Sequence, residues 1–175
     1  RLPPLPHRAV GARRVRDAIG YPRAGATAPL AGEHHRAVLH PAVQGQDPRG
    51  ARLAIRARTR GVSAADVDRA LTADRSLLIT WLNRGTLHLV RREDYPWLHA
   101  LTTPQLRTAN ATRLAQEGVT PAGVERGLSV IERSLASEGP LTRSQLGGAL
   151  ESADVPVAGQ ATIQLLIRAA IEGLV

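Results

Sequence analysis

The 175-residue sequence predicts an α+β fold that is mainly helical, with one short β-hairpin. Three observations lead there. Apolar residues recur at helical spacing along most of the chain, but the period switches to 2 across Leu77–Leu82 and returns after Asn83-Arg84-Gly85, a turn tolerant of positive φ. The hydrophobic fraction is 43%, yet aromatics make up 2% and Phe and Met are absent, so the core is built of Leu, Val, Ile and Ala, which suit closely packed helices. Helix start and stop signals recur on both sides of the hairpin.

Residues 1–36 mix Pro, Gly and Arg with few apolar side chains. Pro3, Pro4 and Pro6 favour extended polyproline conformation, a short helix fits Arg13–Ile19, and the rest is expected to be a disordered leader. The sequence does not begin with Met and reads as a fragment. His34, His35 and His40 have no acidic or Cys ligand at useful spacing, so no metal site is expected.

Asp47 can cap a helix whose first turn accepts Pro48, running to about Thr59. On it Arg49, Arg52, Arg56 and Arg60 are expected to share one face. Gly61 permits a left-handed stop. Ser63 caps the next helix, Ala64–Thr72, with Asp66 in the capping-box position and Val62 and Val67 spaced as a staple. Val67, Ala70 and Leu71 are its expected buried side. Two strands follow, Leu77–Leu82 and Thr86–Arg91, with His88 on the face opposite Leu87 and Leu89. Helix, helix, hairpin is the order of a winged-helix unit, here residues 37–110. Glu93 and Asp94 open a further helix, with Trp97, Leu98 and Leu101 as its apolar side and His99 toward solvent.

A second unit occupies residues 111–175. The helix Gln105–Gln116 leads into it and is closed by Gly118. Thr120-Pro121 starts a helix with Val124, Leu128, Ile131 and Leu135 inward, and Gly139-Pro140 breaks it. Thr142 caps a short helix burying Leu146 and Leu150. Val155-Pro156-Val157 turns into Ala158–Ile171, with Ile163, Leu166, Ile167 and Ala170 inward. Three helices with a short middle one match a helix-turn-helix core. The sequence ends at Gly173-Leu174-Val175, where a wing strand would begin, so this tandem unit is expected to be cut off.

Charge narrows the partner. All 23 cations are Arg and the net charge is +8. Residues 1–60 hold twelve Arg against Asp17, Glu33 and Asp47, whereas the remainder is nearly balanced. A polyanion would meet the N-terminal third. GC-rich codon bias explains Arg in place of Lys, but not the missing acids. The absence of cysteine excludes disulfides, thiolate zinc sites and a cysteine nucleophile. No run approaches about 18 apolar residues, and no signal peptide is visible, so a cytoplasmic protein is expected.

The chemistry-bearing stretch is Gln44-Gly45-Gln46, too polar for a core strand and too short for a helix. It directly precedes the arginine-bearing helix, whose row can neutralise successive phosphates. The plain alternatives are a solvated helix face and a polar pair satisfying loop backbone groups. The stretches "QGQDPRGARLAIRARTRG" and "TWLNRGTLHLVRREDYPWL" resemble the winged-helix DNA glycosylase family of bacteria, the AlkZ-like group, and the resemblance extends over roughly Ala42–Val175. It implies tandem winged-helix units around a DNA-sized concavity and excision of N7-alkylated purines, including bases joined in interstrand crosslinks. The family's catalytic motif, Gln, any residue, then Gln or Asp, falls on Gln44 and Gln46, with Gly45 where the family usually carries a larger apolar residue or Ala.

A glutamine amide is no general base near neutral pH, but its oxygen accepts a hydrogen bond from water and its NH2 donates two. That positions a nucleophile without deprotonating it. An N7-alkylguanine is already cationic and leaves readily, so water placed beneath C1′ suffices; an unmodified base would demand a carboxylate and acid assistance. The expected site is therefore Gln46 holding the water and Gln44 supporting it, with Arg49, Arg52, Arg56, Arg60, Arg84 and His88 facing DNA. Asp47 is expected to cap its helix. The expected partner is alkylated double-stranded DNA, bound by a monomer with no metal or organic cofactor. A non-catalytic winged-helix DNA-binding or regulatory protein, or an inactive fragment, is the alternative.

Overall fold

The computed structural model describes residues 42–175; the expected leader, the helix expected over Arg13–Ile19, and His34, His35 and His40 lie outside the described residues. Among the described residues, seven helices and a three-stranded antiparallel sheet make an α+β fold, as the sequence predicts. The chain forms two compact units, one reaching Thr80 and including Thr86–Leu98, the other comprising Trp81–Gly85 and His99–Val175. Among the described residues no helix is long and apolar enough to cross a membrane, and no group of three potential metal ligands is found.

The first unit opens on β1 (Ala42–Gln44), followed by α1 (Pro48–Arg56), α2 (Ala64–Leu71), β2 (Leu77–Leu82) and β3 (Thr86–Arg91). The hairpin has the predicted bounds. Its turn places Asn83 at φ 54 and Gly85 at φ 82, the left-handed conformations those residues tolerate. The sheet has a third strand that the sequence reading missed: β1 pairs with β3, giving the order β1-β3-β2. A strand at a sheet edge needs only one inward apolar residue and main-chain partners. Val43, 8% exposed, supplies the first, and β3 supplies the second.

Helix α1 ends at Arg56, short of the expected Thr59. Its last carbonyls are taken up locally: Thr59 Oγ1 donates to Ile55 O at 2.8 Å, and the Arg58 guanidinium donates to Ala54 O at 2.7 Å. The i→i−3 bonds Arg58 N to Ile55 O and Thr59 N to Arg56 O tighten the exit. Ala51 and Ile55 of α1 pack with Val67 and Ala70 of α2 and with Val43 and Leu89 of the sheet in one core.

The capping box of α2 forms as expected. Asp66 Oδ2 accepts from Ser63 N at 2.9 Å and from Ser63 Oγ at 2.7 Å, while Asp66 N donates to Ser63 Oγ at 3.2 Å. The Ser63 hydroxyl, then the Ser63 N–H, then the nearby Arg69 guanidinium hold the Asp66 carboxyl below its ordinary value of 3.8. Because the folded state binds this proton less readily than the unfolded chain, Asp66 stabilises the fold above its ordinary value. That contribution is lost as pH falls through the depressed value. Thermal melts between pH 6 and pH 2 are expected to show a smaller acid-induced drop in Asp66→Asn than in the parent. Parallel curves would refute the linkage.

Helix α3 (Tyr95–Thr102) follows. It buries Leu98 and Thr102, whereas Trp97 is 43% and Leu101 70% exposed, so the expected apolar side is only one-third correct. Trp97 is drawn back along the helix surface, its Nε1 donating to Asp94 Oδ1 at 3.3 Å. His99 does not face solvent: its Nε2 meets Ala170 O at 3.0 Å.

The second unit continues through α4 (Pro104–Gln116), α5 (Pro121–Glu138), α6 (Arg143–Glu151) and α7 (Ala161–Ile171), and α7 packs against the other three. The caps at Thr120 and Thr142 form as predicted, the latter as a capping box with Gln145. Leu146 and Leu150 are buried as expected. The buried faces of α5 and α7 differ from expectation. On α5 they are Gly123, Gly127, Val130 and Ile131, with Val124, Leu128 and Leu135 only partly covered. On α7 Ala170 is buried as expected, together with Ala161, Leu165 and Ala169, while Ile163, Leu166 and Ile167 are half-buried. On α5 the reason is close approach: a Cβ on Gly127 would lie 3.0 Å from Leu165 Cδ2, so the glycine side of α5 turns inward to make room for that leucine of α7. Helix α7 starts at Ala161, not Ala158, because Glu117 Oε2 accepts from Gln160 N at 2.8 Å and Gly159 takes φ 59. Asn110, buried in α4, donates through Nδ2 to Gln164 O at 3.0 Å and to Gln164 Oε1 at 3.1 Å, tying α4 to α7.

Candidate functional site

The glutamine pair sits where β1 hands over to α1. The register sets Ala42 opposite Val90, Val43 opposite Leu89 and Gln44 opposite His88. Directly opposed residues of an antiparallel pair project from the same face, so Gln44 and His88 are neighbours. His88 is half-buried, with Nδ1 2.8 Å from Thr86 O.

Between the glutamines, Gly45 N donates to Leu87 O at 2.8 Å. Gly45 is buried, and a Cβ there would lie 3.2 Å from Leu89 N, so this main chain is pressed against the central strand. Gln44 and Gln46, one on either side, are both exposed. Local pairing thus anchors the backbone of the motif and leaves its two amides to solvent.

Asp47 is the N-cap of α1. Its Oδ1 accepts from Arg49 N at 3.0 Å and its Oδ2 from Gly50 N at 2.9 Å. A Cβ on residue 50 would lie 2.9 Å from Asp47 Oδ2, so the cap accounts for glycine there. The carboxylate next to Gln46 is therefore engaged at both oxygens, as expected for a capping role.

The cationic row is rearranged relative to expectation. Arg52 turns toward α2, where it forms an ion pair with Asp68; its Nε lies 2.9 Å from Asp68 Oδ1 and its Nη1 donates to Pro48 O at 2.7 Å. Arg60 lies past the end of α1 and is not part of a helical face. The stripe that α1 leaves exposed is Arg49, Leu53 and Arg56, spaced four and three residues apart on one side of the helix. Neither arginine of that stripe, nor Arg60, makes an ion pair among the described residues. Arg84 is exposed in the hairpin turn, within the segment that groups with the second unit. Sequence reasoning missed Leu53, 63% exposed. The signal was present: on a helix, Leu53 shares a face with Arg49 and Arg56, not with the buried Ala51 and Ile55.

Two neutral amides, a neighbouring imidazole and a cationic helix face are arranged for hydrogen bonding to a polar substrate carrying negative charge. Residues 41–175 match the family described as DNA glycosylase AlkZ-like, and the chain belongs to that family. Among solved structures, it is similar to the DNA glycosylase AlkZ of Streptomyces sahachiroi, with a TM-score of 0.56 and 26% sequence identity over 76% of this chain. The chain spans 37% of the length of that structure. No curated protein sequence matches it.

Proposed function

We propose that the protein is a monofunctional DNA-repair glycosylase that hydrolyses the N-glycosidic bond of N7-alkylated purines in double-stranded DNA, including bases held in interstrand crosslinks. Family membership supports the activity class. The observation that carries the reading is the pair of exposed amides, Gln44 and Gln46, immediately ahead of a helix whose outer stripe holds Arg49 and Arg56. Gln46 holds the attacking water and Gln44 supports it or the sugar-phosphate. With Asp47 engaged in its cap, no strong base is offered beside Gln46, which suits a leaving group already activated by positive charge. Water attacks C1′, the C1′–N9 bond breaks, and the base departs neutral, its cationic ring having taken the bonding electrons, while the water that becomes the C1′ hydroxyl releases its extra proton to bulk solvent. The sugar carries the positive charge in between, within reach of the amide oxygens.

In this reading residues 37–110 and 111–175 act as two winged-helix units on duplex DNA, and the protein works as a monomer in the cytoplasm. The test is incubation of the chain with a duplex containing N7-methylguanine, scoring abasic sites by alkaline strand cleavage. Strand breaks at the lesion are expected; DNA that binds but stays uncleaved would leave the non-catalytic DNA-binding alternative standing.

The arginines are separable by their surroundings. Arg49→Ala is expected to weaken binding to any duplex and to lower the slope of log affinity against log salt by about 1, because it removes one phosphate contact. Arg52→Ala leaves the salt slope unchanged, since its guanidinium is already neutralised by Asp68. A fluorescence-anisotropy salt titration reads both, and equal slopes for the two variants would contradict the assignment.

A further inference from the structure

We infer that Leu53 is a wedge that enters the base stack of bound duplex DNA beside the nucleotide being processed. This rests on the DNA-facing reading of α1 given above. Three observations meet at this residue. Leu53 is 63% exposed, although the apolar residues Ala51 and Ile55 of the same short helix are 4% and 0% exposed, so the helix has its core contacts without it. It lies between Arg49 and Arg56 on one stripe, and both flanking cations lack ion pairs among the described residues. The helix that carries it is fixed at its start by the Asp47 cap, one residue from Gln46.

An apolar side chain held between two cations is poorly matched to water, and a protein partner would have to cover both arginines with acids. Duplex DNA satisfies all three positions. The phosphates take Arg49 and Arg56, and the space between stacked bases takes the isobutyl group. Enzymes that act on a base must loosen it from its stack, and an inserted apolar side chain fills the gap that remains. Helix α1 would then do two things at once: its charged positions hold the backbone, and Leu53 keeps the opened step open while the amides address the sugar.

The experiment uses the full chain, duplexes with 2-aminopurine beside an N7-methylguanine or beside a stable abasic analogue, and the variants Leu53→Ala and Leu53→Met. Parent protein is expected to raise 2-aminopurine fluorescence on binding. Leu53→Ala is expected to lose that rise, to lose about tenfold in affinity for the abasic duplex, and to keep its affinity for unmodified duplex within about twofold. Leu53→Met, flexible and similar in volume, is expected to restore the signal. Because Leu53 is exposed, the Ala variant is expected to retain the core, which circular dichroism melts check. A fluorescence rise undiminished in Leu53→Ala overturns the wedge. If the parent forms no abasic sites yet shows a Leu53-dependent rise, the wedge stands and the glycosylase reading falls. If the parent binds neither duplex, both fall.

Discussion

Gln46→Ala is expected to reduce excision of N7-methylguanine by roughly 10²–10³-fold, the range for deleting one preorganised polar group from a hydrolytic site. Affinity for the same duplex is expected to stay within about twofold, because phosphate contacts dominate binding and Gln46 carries no charge. Gln46 is exposed and lies outside the strand and the helix, so its loss leaves the fold intact and the effect falls on kcat. Gln44→Ala is expected to cost less, since this side chain supports the water rather than aiming it. Single-turnover cleavage with protein in excess separates the two from binding. Excision by Gln46→Ala at the parental rate would remove Gln46 from the mechanism.

The largest effect on stability is expected where α5 meets α7. Leu165 is fully buried, and Leu165→Ala is expected to cost about 2–5 kcal/mol through lost burial and the cavity left behind. Gly127 lies against it. In the parent, Gly127→Ala puts a methyl 3.0 Å from Leu165 Cδ2, so Leu165 must shift, and overpacking is expected to outweigh the roughly 1 kcal/mol that Ala gains over Gly in a helix. In a Leu165→Ala background the obstructing carbon is gone, and the same substitution is expected to stabilise by up to about 1 kcal/mol. The sign of the Gly127→Ala effect thus reverses with residue 165. Urea unfolding of the four chains measures it, and stabilisation in both backgrounds would rule out the close approach.

What could be read from the sequence was local. The hairpin was legible because Asn83-Arg84-Gly85 sits between two alternating runs, and the caps at Ser63, Thr120 and Thr142 were legible because each bonds within its own first turn. β1 was not, since three residues of which only Val43 is buried give no period, and their pairing partner lies more than forty positions away. The face of α7 was not, since apolar residues surround that helix and only its partner helix chooses among them. In the candidate site, the exposure of Gln44 and Gln46 and the capping role of Asp47 were legible. The row of four arginines was not, because Asp68 captures Arg52 from another helix and the early end of α1 drops Arg60 from the face. Leu53 is the opposite case: a leucine in a helix is ordinarily inward, but its spacing from Arg49 and Arg56 already set it on the charged face.

The bond from Gly45 N to Leu87 O has an implication for how such a site can change. The motif is moored by its spine, and neither outward amide is required to keep it in place. Side-chain identity at 44 and 46 can therefore drift, an amide giving way to an acid for example, while the scaffold holds its shape. In this chain the position of the motif is written in main chain, by Gly45 and the strand it leans on, and not in the two side chains that flank it.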